Sequence, residues 1–187
     1  MPQESDDRQL IARIADRDQA ALRLLMGRHQ VRVYRFLLRI VRSEAVAEEL
    51  TNEVFMEVWR NANRFEGHSA PHTWVLSIAH HRAVSSLRKR REEGWDEERA
   101  YALADEGDDP EVATQKHDKS AIMRRCMDGL SAEHREIIDL VYYHELSIAE
   151  VAAVVGIPEN TVKTRMFYAR KRLSEILTAA GVDRGWP

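Results

Sequence analysis

The sequence predicts an all-α protein made of two small helical domains joined by an acidic flexible linker. Three observations carry that prediction. Gly (8) and Pro (5) are few among 187 residues, and strand-type alternation is scarce, so the 44% apolar content falls into helical spacing. The charge is segregated: residues 92–111 hold ten acids and one base, a net of −9, which leaves +6 on the rest of a chain whose total is −3. The run 145–173, ELSIAEVAAVVGIPENTVKTRMFYARKRL, has the order of a short helix, a Gly turn and a basic helix.

The elements follow in order. Residues 8–28 read as an amphipathic helix with Leu10, Ile11, Ile14, Ala21, Leu22 and Leu25 inward, bent near Asp16–Asp18. Residues 30–42 read as a second, strongly apolar helix, whose Arg32, Arg35, Arg39 and Arg42 share an outward stripe. Ser43 caps a third helix that buries Val46, Leu50, Val54 and Val58 and turns Glu48, Glu49, Asn52, Glu53 and Met56 outward. Gly67, Ser69 and Pro71 make 63–72 a loop. A fourth helix over 73–91 begins apolar and ends in four consecutive bases, Arg88 to Arg91. Residues 93–117 hold few large apolar side chains and cannot bury enough surface to offset the entropy of ordering, so they read as a disordered tether. Helices over 118–129, 132–144, 147–155 and 159–177 complete the second domain, with Ser131 as a cap.

Within that domain Ser147 and Glu150 form a capping box, each able to satisfy the other's exposed backbone N–H. Gly156 ends the helix because only Gly enters the left-handed region cheaply. Pro158 suits the first turn of the next helix, where its missing N–H costs nothing. Against this stands the plainer reading of a helical hairpin with a solvated charged face. Cap, turn and charge agree on the DNA-binding one.

Several function classes lose their footing. The N-terminus MPQESDDRQL has neither the positive start nor the apolar core of a signal peptide, and no run approaches the roughly 20 apolar residues that span a bilayer, so the expectation is a cytoplasmic protein without membrane insertion. The lone Cys126 fits a reducing compartment and a buried packing role. No P-loop, GxGxxG, GxSxG or HExxH motif is present, so no catalytic residues and no cofactor are expected. His68, His72, His80 and His81 invite a metal reading, but Pro71 interrupts the first pair and no Cys lies near, so no metal is expected. The loop NRFEGHSAPHTW instead puts Phe65 and Trp74 beside a basic helix, which suits unstacked bases as well as it suits a packed core. The acidic outer face of the third helix suits either solubility or docking of a basic partner.

Taken together, AEELTNEVFMEVW, NRFEGHSAPHTWVLSIAHHRAVSSLRKR and LSAEHREIIDLVYYHELSIAEVAAVVGIPENTVKTRMFYARKRL resemble, in that order, the core-binding, minus-ten and minus-thirty-five segments of the extracytoplasmic-function (ECF) group of bacterial sigma-70-type sigma factors. The resemblance covers nearly the whole chain. It implies a region 2 domain over 8–92, an acidic linker over 93–117 and a region 4 helix-turn-helix domain over 118–177. The implied partners are core RNA polymerase, through its β′ clamp helices and β flap, promoter DNA, and an anti-sigma factor acting in a stress or an envelope or metal response.

The same resemblance implies the sites. Glu49, Asn52, Glu53 and Met56 would meet the clamp helices. Phe65, Gly67, His68 and Ser69 would line a loop that takes a base flipped from the non-template strand, with Thr73, Trp74, His81, Arg82 and Arg88 supporting it or holding the backbone. Lys163, Thr164, Phe167 and Tyr168 would read the minus-thirty-five element while Thr161, Arg165 and Arg170 grip phosphates. Departures stand at His81, Ser85 and Tyr168, where the family often has Asn, Asp and a base, and Asn52 replaces a frequent Gln. The alternative is a helix-turn-helix transcriptional regulator of response-regulator or quorum-sensing type. It requires an upstream receiver or ligand-binding domain, for which residues 1–92 offer no βα alternation.

Overall fold

The computed structural model describes residues 2–93 and 126–179, and every regular element among them is helical. Expectations for most of the acidic tether, for 118–125 and for the tail 181–187 lie outside the described residues. The chain divides into two compact units.

The first unit holds α1 (Pro2–Ala15), α2 (Gln19–Val41), α3 (Glu44–Asn61), a 3-10 turn (Ala62–Arg64) and α4 (Pro71–Glu92). One expected boundary moves. The break foreseen as a bend at 16–18 separates α1 from α2 completely, whereas the gap foreseen at 29 does not exist and α2 runs on to Val41. Local chemistry explains the first part. Arg17 takes φ 67°, and the Asp18 side chain accepts from the N–H groups of Ala20 and Ala21, which starts a new helix there. The Arg13 guanidinium, then the Ala21 N–H, hold the Asp18 carboxyl below its ordinary value. Packing explains the second: Ala21, Leu25, Val33, Phe36, Leu37 and Val41 bury a continuous face of α2, which outweighs the roughly 1 kcal/mol cost of Gly27 in mid-helix. Helix α4 likewise starts two residues earlier than the loop reading placed it, because Pro71 sits at the first helical position.

Helix α2 packs against α1, α3 and α4, and α3 packs against α4. Leu10, Ile11 and Ile14 of α1, Leu50, Val54, Phe55 and Val58 of α3, and Val75, Leu76, Ala79 and Ala83 of α4 complete the core. Val46, expected inside, is half-buried, and Ala47 takes the inner position.

In the second unit a helical segment ends at 128, followed by α5 (Ala132–Tyr142), α6 (Ile148–Val155) and α7 (Glu159–Ala179). Ser131 caps α5 by accepting from the His134 N–H. Helix α5 packs on α7, and Met127, Leu130, Ile137, Ile138, Leu140, Leu146, Val162, Met166 and Ala169 are buried. Cys126 is buried too, and desolvation pushes its thiol up, which suits packing and not nucleophilic chemistry. Arg135 donates to the carbonyls of Met127 (3.1 Å) and Leu130 (3.0 Å), closing the end of the preceding helix.

Candidate nucleic-acid interface

The loop 65–70 is built by the elements on either side of it. The 3-10 turn delivers Phe65, whose ring meets Trp74 of α4 with centroids 5.1 Å apart and planes tilted 47°. Gly67 adopts φ 76°, a conformation L side chains rarely take. His68 projects outward, 85% exposed, with Nε2 at 2.9 Å from Glu66. Ser69 is half-buried, and Thr73 is 1% exposed, which puts it out of reach of a ligand. Trp74, His81 and Arg88 follow at seven-residue intervals along α4 and share a stripe. His81 is exposed and donates from Nδ1 to the Ser77 carbonyl, and Arg88 is exposed with a distant Glu92 at 4.0 Å.

Arg82 does not join that stripe. It reaches across to α3, 2.6 Å from Glu57 and 3.3 Å from Glu53. Two expected sites therefore touch: the acidic face of α3 and the basic helix α4 share an ion-pair cluster. On the outer face of α3, Glu49 and Asn52 are exposed, Met56 is 48% exposed and Glu53 is half-exposed.

The second unit presents its residues differently. The capping box is formed as the spacing predicts: Glu150 Oε2 accepts from the Ser147 N–H at 2.9 Å, and Ser147 Oγ accepts from the Glu150 N–H at 3.3 Å. Gly156 turns the chain at φ 73°. Pro158 stands one residue before α7 and its carbonyl accepts from Thr161 and Val162, so it caps the helix and does not fill its first position. Along α7 the inward Val162, Met166 and Ala169 leave Lys163, Thr164, Phe167 (65% exposed) and Tyr168 (53%) outward. Phe167 and Tyr168 meet edge-on at 5.4 Å. Lys163 has Glu159 one turn back at 3.9 Å, and Thr164 donates to the Asn160 carbonyl. Thr161 is half-buried. Arg165 pairs with Glu133 at 3.2 Å, and the Arg170 guanidinium lies 5.7 Å from the Tyr142 ring centroid.

Both units match one family. Sigma-70 region 2 matches residues 25–93, and Sigma-70, region 4 matches 120–173. The ECF RNA polymerase sigma factor SigK of Mycobacterium ulcerans (strain Agy99) is 32% identical over 184 residues, covering 96% of this chain and 98% of the relative. The chain belongs to the ECF sigma factors. As such it binds core RNA polymerase and directs promoter-specific transcription initiation, and the regulator alternative is not favoured. Among solved structures, the sigma factor RpoE in complex with the anti-sigma factor NepR from Bartonella quintana is 25% identical, covers 87% of this chain and 98% of its own, and superposes with a TM-score of 0.65. The fold is also that of CnrH in complex with the cytosolic domain of CnrY, at TM-score 0.69 and 22% identity over 93% of this chain and 98% of that one.

Sequence reasoning about this sigma factor missed Arg8, Glu57, Glu133 and Tyr142. Glu57 carries a readable signal, since it stands one helical turn from Glu53 on the same face. Arg8 carries none: its partners are the carbonyls of Gly67 and Ser69, 59 and 61 residues away.

Proposed function

We propose that residues 8–92 of this sigma factor bind the β′ clamp helices and open the minus-ten element, that 93–117 act as the acidic linker, and that 118–177 bind the β flap and the minus-thirty-five element. On this reading Glu49, Asn52, Glu53 and Met56 dock the clamp. Phe65, Gly67, His68 and Ser69 hold a flipped base, backed by Thr73 and Trp74, with His81 and Arg88 along the strand. Lys163, Thr164, Phe167 and Tyr168 read base edges, and Thr161, Arg165 and Arg170 meet phosphate. The factor has no catalysis of its own and works in the cytoplasm, where an anti-sigma factor holds it inactive, as the RpoE–NepR complex suggests by likeness.

The observation that carries the reading is the division of α7. Val162, Met166 and Ala169 are buried, while Lys163, Thr164, Phe167 and Tyr168 form one exposed patch behind a Gly turn. That is a helix free to enter a major groove with a cation, a hydroxyl and two rings leading.

The clamp assignment is tested at Glu49 in place of Glu53, because Glu53→Arg would also set a second cation against Arg82 and disturb the α3–α4 packing. Glu49→Arg should leave the circular dichroism unchanged and lower affinity for core polymerase about tenfold, roughly 1.4 kcal/mol. Wild-type affinity and transcription in that variant would remove this face from the core contact.

A further inference from the structure

Arg8 of α1 makes three contacts with one loop. Its Nη1 donates to the Gly67 carbonyl at 3.0 Å and its Nη2 to the Ser69 carbonyl at 3.1 Å, so the two prongs of one guanidinium bracket His68. Its guanidinium carbon lies 5.8 Å from the ring centroid of Phe65, the residue that opens the loop. The fit is close: a Cβ on Gly67 would stand 2.8 Å from Arg8 Nη1. Helix α1 is itself held in place. Asp7, 3% exposed, accepts from Arg28 at 2.6 Å and lies 2.8 Å from His29 Nε2, and in the turn just after α1 Arg17 donates to the Trp59 carbonyl while its guanidinium lies 5.4 Å from the Trp59 ring.

We propose that Arg8 is a positioning residue that sets the base preference of the 65–70 loop. The proposal rests on the reading of that loop as the pocket for a flipped base. A planar guanidinium with fixed donor directions fixes two carbonyls relative to each other, which a flexible ammonium does not do. With both carbonyls fixed, the peptide units around His68 present their N–H groups in one arrangement, and His68 and Ser69 leave the backbone in set directions. A pocket that discriminates bases needs that pre-organisation, since a polar edge mismatched to a rigid site is left unpaired, whereas a loose loop adapts to any base. The residue that selects the base therefore sits outside the loop, at the far end of the unit's sequence.

The test has a DNA-free arm and a promoter arm, both on the full chain. In hydrogen exchange on the free protein, Arg8→Ala and Arg8→Lys should both accelerate amide exchange at residues 67–70 while leaving α1 and α4 protected. In the second arm, the factor with core polymerase is given promoters varied at each minus-ten base, with open-complex formation read by permanganate. Wild-type should favour one base at the flipped position. Arg8→Ala should narrow that preference by about 5- to 10-fold, the scale of losing charge-assisted hydrogen bonds from an exposed group, with core affinity unchanged. Arg8→Lys should narrow it as much, because charge without the fork does not fix the carbonyls. Unchanged base preference in Arg8→Ala, or full retention by Arg8→Lys, overturns the proposal. A His68→Ala/Ser69→Ala variant run alongside separates the two readings: if it too keeps the wild-type preference, the loop is not the base pocket and the parent reading falls with the proposal.

Discussion

Arg8 and Arg135 do the same chemistry at different ranges. Each guanidinium donates to two backbone carbonyls at 3.0–3.1 Å. Arg135 reaches back only 8 and 5 residues, to the end of the helix before its own, whereas Arg8 reaches 59 and 61 residues, to a loop on the far side of two helices in sequence. The short-range pair closes a scaffold whose functional face is then dictated by helical periodicity. The long-range pair shapes the functional element itself. On the proposed reading, a side chain of the second unit reaches DNA because of where it stands on α7. In the first it does so because of what holds the loop. Mutations should follow that division.

The largest effect belongs to the buried scaffold of the second unit. His144 Nε2 lies 3.2 Å from Asp139 Oδ2, with both side chains 3% exposed or less. This pair sits where α5 hands over to the helix-turn-helix, beside the buried Leu146. Removing one partner of such a pair leaves the other's buried polar atoms with nothing opposite them, at a cost of about 3 kcal/mol. Asp139→Ala should therefore lower hydrogen-exchange protection across α5 and α7 by that amount and abolish minus-thirty-five binding, with α2 and α4 unaffected. Asp139→Asn, which keeps a polar partner for His144, should recover part of the loss. Equal protection in Asp139→Ala would mean that the corner is held by its apolar packing alone.

Arg135→Ala sharpens the contrast with Arg8. It leaves two carbonyls without their charged donor and should destabilise the second unit by about 1.5–3 kcal/mol, the range for hydrogen bonds to charged groups, as read by thermal unfolding. Minus-ten base preference should not change. Arg8→Ala should do the reverse. If both variants moved stability and neither moved base preference, the two arginines would be equivalent staples.

The same division decides what the sequence reveals. The helix-turn-helix is legible because each of its signals is local: Ser147 and Glu150 are three apart, Gly156 is the only residue type that takes φ 73° without strain, and Lys163, Thr164 and Phe167 share a face by period alone. The all-helical class is legible for the same reason. The break between α1 and α2 is half legible. Asp16–Asp18 marks it, but the strength of the Asp18 cap and the tolerance of Gly27 depend on packing that spacing does not encode. Arg82 is half legible, because its position in a basic helix suggests loop support or phosphate, while its ion pairs with Glu57 and Glu53 on another helix leave no mark in its own stretch. Arg8 is invisible, because backbone carbonyls carry no sequence signature.

The smallest effects, and the most discriminating, lie on α7. Lys163 is exposed at the leading end of the helix, with Glu159 at 3.9 Å as its ion-pair partner among the described residues, so its ammonium can leave for a guanine edge at little cost. Arg170 lies further along and rests near the face of Tyr142, which aims it sideways, where a helix seated in a groove meets phosphate. A base contact is worth about 1–3 kcal/mol of discrimination, whereas a phosphate contact adds affinity without preference. Lys163→Ala should therefore relax specificity at one or two minus-thirty-five positions, and Arg170→Ala should weaken all promoters about equally. Arg170→Ala should also lower the slope of log affinity against log salt by about one unit. Both variants are measured on a library of mutated upstream elements at two salt concentrations. If Lys163→Ala weakens every sequence uniformly and also lowers the salt slope, Lys163 is a phosphate clamp. Periodicity would then have placed the face correctly and assigned its leading residue the wrong job.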